Sequence, residues 1–120
     1  MDEDINKQIR IPRAKIEEIV ETALKISVDA SRYAGLDLNI EELFIETVRS
    51  MPINEELIPA GIVIFLFSMQ ETLRQKFSGY EHVVPWLMFP FLMEFRKIPQ
   101  VDEQLGKIFP PSNKPQEIPK

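Results

Sequence analysis

The chain has no cysteine in its 120 residues, which excludes disulfides, thiol catalysis and cysteine-bound zinc. A cysteine-free chain suits a reducing compartment. The acidic N-terminus MDEDINKQIR lacks the basic-then-apolar pattern of a secretory signal, so a cytoplasmic protein is expected.

Histidine is nearly as scarce. His82 is the single one, and no serine or cysteine motif stands beside it. It therefore reads as a loop or capping residue rather than a base, a ligand or a pH switch. A hydrolase or transferase would require a cleft bringing His82 to a hydroxyl or to several carboxylates, and nothing in the sequence argues for one. The Glu-x-x-His pairs of a di-iron bundle are missing, and so is the alternating Asp/Asn spacing of an EF-hand. The four glycines, Gly35, Gly61, Gly79 and Gly106, are isolated, and none builds a phosphate-cradling loop. Without a strand–helix alternation, a dinucleotide-binding fold is not expected either. The expectation is a non-enzymatic protein with no catalytic, metal-binding or cofactor-binding residue and no cofactor.

Positive charge is in deficit: 14 Lys and Arg stand against 19 Asp and Glu, a net charge of −5. A broad grip on nucleic-acid phosphates rests on clustered cations. Here they come in short groups, Arg10–Arg13–Lys15, Arg74–Lys76 and Arg96–Lys97, so no nucleic-acid partner is expected. The acidic clusters Glu17–Glu18–Glu21, Glu41–Glu42–Glu46 and Glu55–Glu56 fit helix first turns and solvated faces.

No apolar run reaches the roughly twenty residues that a bilayer requires. Leu57–Met69 is followed at once by Gln70, Glu71, Arg74 and Lys76, and Val83–Phe95 contains two prolines and Glu94. No membrane partner is expected.

What is present is helical periodicity. Pro12 suits a helix start, and Ile16, Ile19, Val20, Ala23, Leu24 and Val28 recur at three- and four-residue steps up to a stop at Gly35. Ile26, Ala30 and Tyr33 widen that apolar side. Asn39 and Glu42 have capping-box-like spacing, with Ile40, Leu43, Phe44, Val48 and Met51 as the stripe of a second helix that ends at Pro52. A third helix is expected from near Asn54 or Pro59 to about Phe77, apolar all round in its first half. A buried strand is the rival there, because Ile62, Val63, Ile64 and Phe65 favour β structure. The fourth segment predicts either one helix kinked at Pro90 or two short ones. Asp102 is expected to cap a brief turn through Phe109.

These elements predict an all-α fold: a compact bundle of four to five helices with a central apolar helix and a proline-rich C-terminal tail. The expected organisation is a flexible acidic N-terminus over 1–10, one helical domain over 11–109, and an extended or disordered tail over 110–120.

The best functional lead is the group Trp86, Met88, Phe89, Phe91, Met93 and Phe95. One helix cannot turn all six toward one small core, and aromatics and Met are enriched at binding patches. Either neighbouring helices bury every face of this segment, or part of it binds a partner. The six are read as partner-binding residues of a small protein-interaction module (an adaptor, assembly factor or inhibitor) that pairs with itself as a homodimer. The alternative is a carrier or sensor of an apolar small molecule, held between the third and fourth helices with His82 or Tyr80 near the mouth.

Overall fold

The computed structural model describes residues 9–108. Residues 1–8 of the expected N-terminal segment and the whole expected tail over 110–120 lie outside the described residues. Within them are five α-helices and one short 3-10 turn. The chain there has no strand, only an isolated antiparallel bridge between Ile11 and Leu57. Ile9 and Arg10, expected to belong to a loose terminus, are instead engaged: Ile9 packs against the core and Arg10 reaches Glu56 at 3.4 Å.

Helix α1 spans Arg13–Tyr33, with Pro12 as its N-cap in an extended conformation. It closes with paired bonds, Gly35 N–H to the Arg32 carbonyl and Leu36 N–H to the Ser31 carbonyl. That closure needs a left-handed residue between the two, and Gly35 supplies it at φ 84°. Helix α2 spans Leu38–Arg49. Its cap is Asp37, whose carboxylate accepts the Asn39 N–H at 2.7 Å, rather than the expected Asn39. Asp37 lies two residues earlier and caps equally well.

Helix α3 spans Pro59–Lys76, with Pro59 in its first turn, so the β-favouring stretch is helical and the strand reading is overturned. Residues 54–56 are not helical, which removes the earlier of the two expected starts. α3 packs on α2 and on two later helices, but it is not enclosed, because Ile64 is 66% exposed. The 3-10 turn Glu81–Val83 leads into α4, Val84–Phe95, a single helix that carries Pro90 in its interior. Helix α5, Pro99–Ile108, is longer than the brief turn expected at Asp102. Val101 and Leu105, one turn apart, anchor it in the core.

The most extensive helix pair is α1 with α4. Small residues on α1 permit it: Ala23 and Ser27 are buried, and the Ser27 hydroxyl donates to the Leu87 carbonyl at 3.0 Å. Phe91 of α4 meets Phe44 of α2 edge to face, with ring centroids 6.2 Å apart, a favoured aromatic geometry. Buried residues from Ile11 to Leu105 form one core. Each large side chain buried there contributes about 1.5–3 kcal/mol.

Candidate functional site

Helix α4 is apolar at nearly every position, so its neighbours decide which side turns in. Packing against α1, α2 and α3 buries Leu87, Met88, Phe91 and Phe95. Of the six residues expected to meet a partner, Met88, Phe91 and Phe95 are therefore core side chains, at most 2% exposed. In the folded chain they are not available to a partner. The other three remain outside: Trp86 is 70% exposed, Phe89 59% and Met93 46%. Their spacing of three and four residues puts them on one face of the helix.

That face continues onto α1. Ile26, Ala30, Pro85, Trp86, Phe89 and Pro90 line a groove of about 480 Å³ between the two helices, and Tyr33, almost fully exposed, stands one turn beyond Ala30 on the same side of α1. The periodicity of α1 already separates this row: Ile26, Ala30 and Tyr33 are spaced by four and three residues, rotated away from the buried Ala23–Ser27 side. Reading them as a widening of the core stripe concealed a second face. Pro85 and Pro90 were legible as helix punctuation, but nothing in the sequence marked them as groove walls.

Charge approaches this surface without entering it. Lys97 pairs with Glu94 at 3.1 Å, and Asp29 and Lys25 are exposed on α1. A second concavity, lined by Glu21, Lys25, Ile45 and Arg49 among others, lies between α1 and α2. There Arg49 already pairs with Glu21 at 3.2 Å, so the two charges answer each other rather than a ligand.

The space expected to hold an apolar molecule, between α3 and α4, is filled. The void lined by Val63, Leu66, Phe67, Met88, Leu92 and Leu105 amounts to about 10 Å³, scarcely room for one water. His82 is exposed on the 3-10 turn. The neighbouring Glu81 carboxylate accepts the Gly79 N–H at 3.1 Å. Its pKa is lowered, first by its own backbone N–H and next by that of Gly79, because both bonds favour the ionised form.

The one buried carboxylate among the described residues is Glu41, which accepts Nε and Nη2 of Arg32 at 2.8–3.1 Å. The hydrogen bond and charge of Glu41 raise the Arg32 pKa further above its usual value. This fork joins the end of α1 to the start of α2. Among the described residues no three His, Asp or Glu side chains converge as metal ligands would. No described helix is long and apolar enough to cross a membrane. Compared with protein-family models, curated proteins and solved structures, the chain matches none, so the reading of this surface rests on its own geometry.

Proposed function

We propose that this protein is a non-enzymatic interaction module whose partner is a second copy of itself, joined through the α1–α4 face. The observation that carries the reading is the continuous apolar surface of Trp86, Phe89 and Met93 with Ile26 and Ala30 beside them. Its exposed area is on the order of 500 Å², at the upper end of what a monomer leaves open. A standard interface buries about 800 Å² per partner, so the apolar patch would supply the larger part of a dimer contact and a polar rim the remainder. The reading requires the face to be self-complementary in shape, the exposed Trp86 and Phe89 of one copy seating in the groove that the same residues line on the other. An isologous two-fold contact requires that property. The same reading places the protein in the cytoplasm and assigns it no nucleic-acid or membrane partner.

Sedimentation equilibrium tests the proposal. The wild-type chain is expected to dimerise, and Trp86→Ala to weaken the dimer by at least about thirtyfold, as truncation of a central aromatic anchor does. A wild-type chain that stays monomeric at every accessible concentration removes the reading.

A second reading, carriage of an apolar small molecule, has one observation in its favour. The volume of the α1–α4 groove lies within the range of about 300–1,000 Å³ typical of ligand sites. Such a molecule would compete with the second copy for the same walls. Native mass spectrometry separates the two: a bound mass on the monomer supports carriage, and a ligand-free dimer supports self-pairing.

A further inference from the structure

Pro90 stands in the interior of α4, and its nitrogen carries no hydrogen. The helical bond from residue 90 back to the carbonyl of Trp86 therefore cannot form. That carbonyl lies between Trp86 and Pro90, and both residues line the groove. Of the six lining residues only Trp86 carries a side-chain donor, so no other side chain of the groove can bond this carbonyl. That donor is the indole N–H of Trp86, on a side chain that is 70% exposed. Self-pairing through this face would take both groups out of water. A desolvated donor and a desolvated acceptor each need a partner, or the contact loses what the apolar burial gains.

Building on the self-pairing reading above, we propose that the Trp86 carbonyl freed by Pro90 is the polar anchor of the dimer face and accepts the Trp86 indole N–H of the second copy. A two-fold contact brings the same patch together from both sides. Donor and acceptor carried by one residue then pair twice across the axis, and neither is left buried without a partner. The bond also fixes how the two faces register, which apolar contact alone does not specify. The proline that is unfavourable to the helix thus has a role at the interface.

The test combines sedimentation equilibrium with thermal unfolding on the full chain. In Pro90→Ala the new N–H closes on the Trp86 carbonyl, so the Tm is expected to rise while the dimer dissociation constant rises about tenfold. Trp86→Phe keeps a ring but loses the donor, and is expected to weaken the dimer by a similar factor. The double variant is expected to be no weaker than the weaker single one, since both remove the same bond. Pro85→Ala removes a ring from the same groove without returning a hydrogen to Trp86, and is expected to change the constant less than about threefold. The proposal is overturned if Pro90→Ala dimerises as tightly as wild type, if it loses no more than Pro85→Ala, or if the two losses add. A wild-type monomer overturns the self-pairing reading itself, and the anchor with it, whereas a wild-type dimer indifferent to Pro90→Ala overturns the anchor alone.

Discussion

Two carboxylates separated by twenty residues show how environment sets the role of an acidic side chain. Glu41 is buried and holds Arg32 in a fork of three hydrogen bonds, whereas Glu21 and Arg49 pair in the open, both more than half exposed. Exposed pairs contribute little, because water and salt screen them and two long side chains must be held still. Removing the cation from a buried carboxylate leaves a charge that water cannot reach. Arg32→Met is therefore expected to lower the Tm clearly more than Arg49→Met. Thermal melts of the two variants check this, and equal shifts would show that Glu41 gains no more from its partner than a surface residue does.

Glu81 offers a pH-dependent counterpart. Its folded pKa lies below the ordinary value because two backbone N–H groups favour the ionised form. Its contribution to the turn is thus fully present above the unfolded carboxylate pKa of about 4.3. It is lost as pH falls through the lower folded value. The Gly79 amide proton should titrate with that same depressed midpoint by NMR, and Glu81→Gln should abolish the transition.

At the scale of the element, α4 is the informative case. All but one of its residues are apolar or proline, yet only one side of it meets α1, α2 and α3. Phe91 fills the core against Phe44, and Phe89, two residues earlier, faces outward. Truncating each separates structure from surface. Phe91→Ala is expected to destabilise the fold by about 3–5 kcal/mol, the cost of a large buried aromatic. Phe89→Ala is expected to stay within about 0.5 kcal/mol for the monomer while weakening self-association. Chemical denaturation at a concentration below the dimer constant measures the first effect without the second. If the two variants were equally destabilised, the helix would be turned differently from what its packing indicates. The composition of this helix was legible in the sequence, and so was the fact that one face could not hold six large side chains. The rotation that divides them was not, since an element apolar all round has no periodicity to reveal its inner side. Capping at Asp37 instead of Asn39 is a similar case: both residue types cap well, so residue type alone does not choose between them.

For the whole molecule, charge and apolar surface act in opposite senses. Each copy carries a net charge of −5, so two copies repel at long range while the α1–α4 faces attract at contact. Added salt screens the repulsion within a Debye length of about 10 Å at 0.1 M. Dimerisation is accordingly expected to tighten modestly, about two- to threefold, between low and physiological salt. Weakening over that range would indicate ion pairs across the interface and argue against an apolar contact. Trp86 is the sole tryptophan, so its fluorescence reports on this face. Its emission should move to shorter wavelength, and become harder to quench, over the same concentrations at which the mass doubles. Emission that ignores a measured association would place the contact elsewhere on the surface.

The approximate positions of the helices, though not all of their ends, were determined by the sequence. Apolar residues at three- and four-residue steps, prolines at helix starts and a glycine able to take φ 84° after Tyr33 are local signals, and the backbone answers to them locally. The membership of the core was not determined that way. Whether Trp86 or Phe91 faces inward depends on small residues on α1 that admit α4 closely, on Ser27 bonding the Leu87 carbonyl, and on Phe44 waiting for an edge-to-face neighbour. These contacts link residues sixty and nearly fifty positions apart. Burial is a property of what lies opposite, and a linear pattern does not say which helix lies opposite which. Only the tertiary packing could divide the aromatic run into a core half and a surface half.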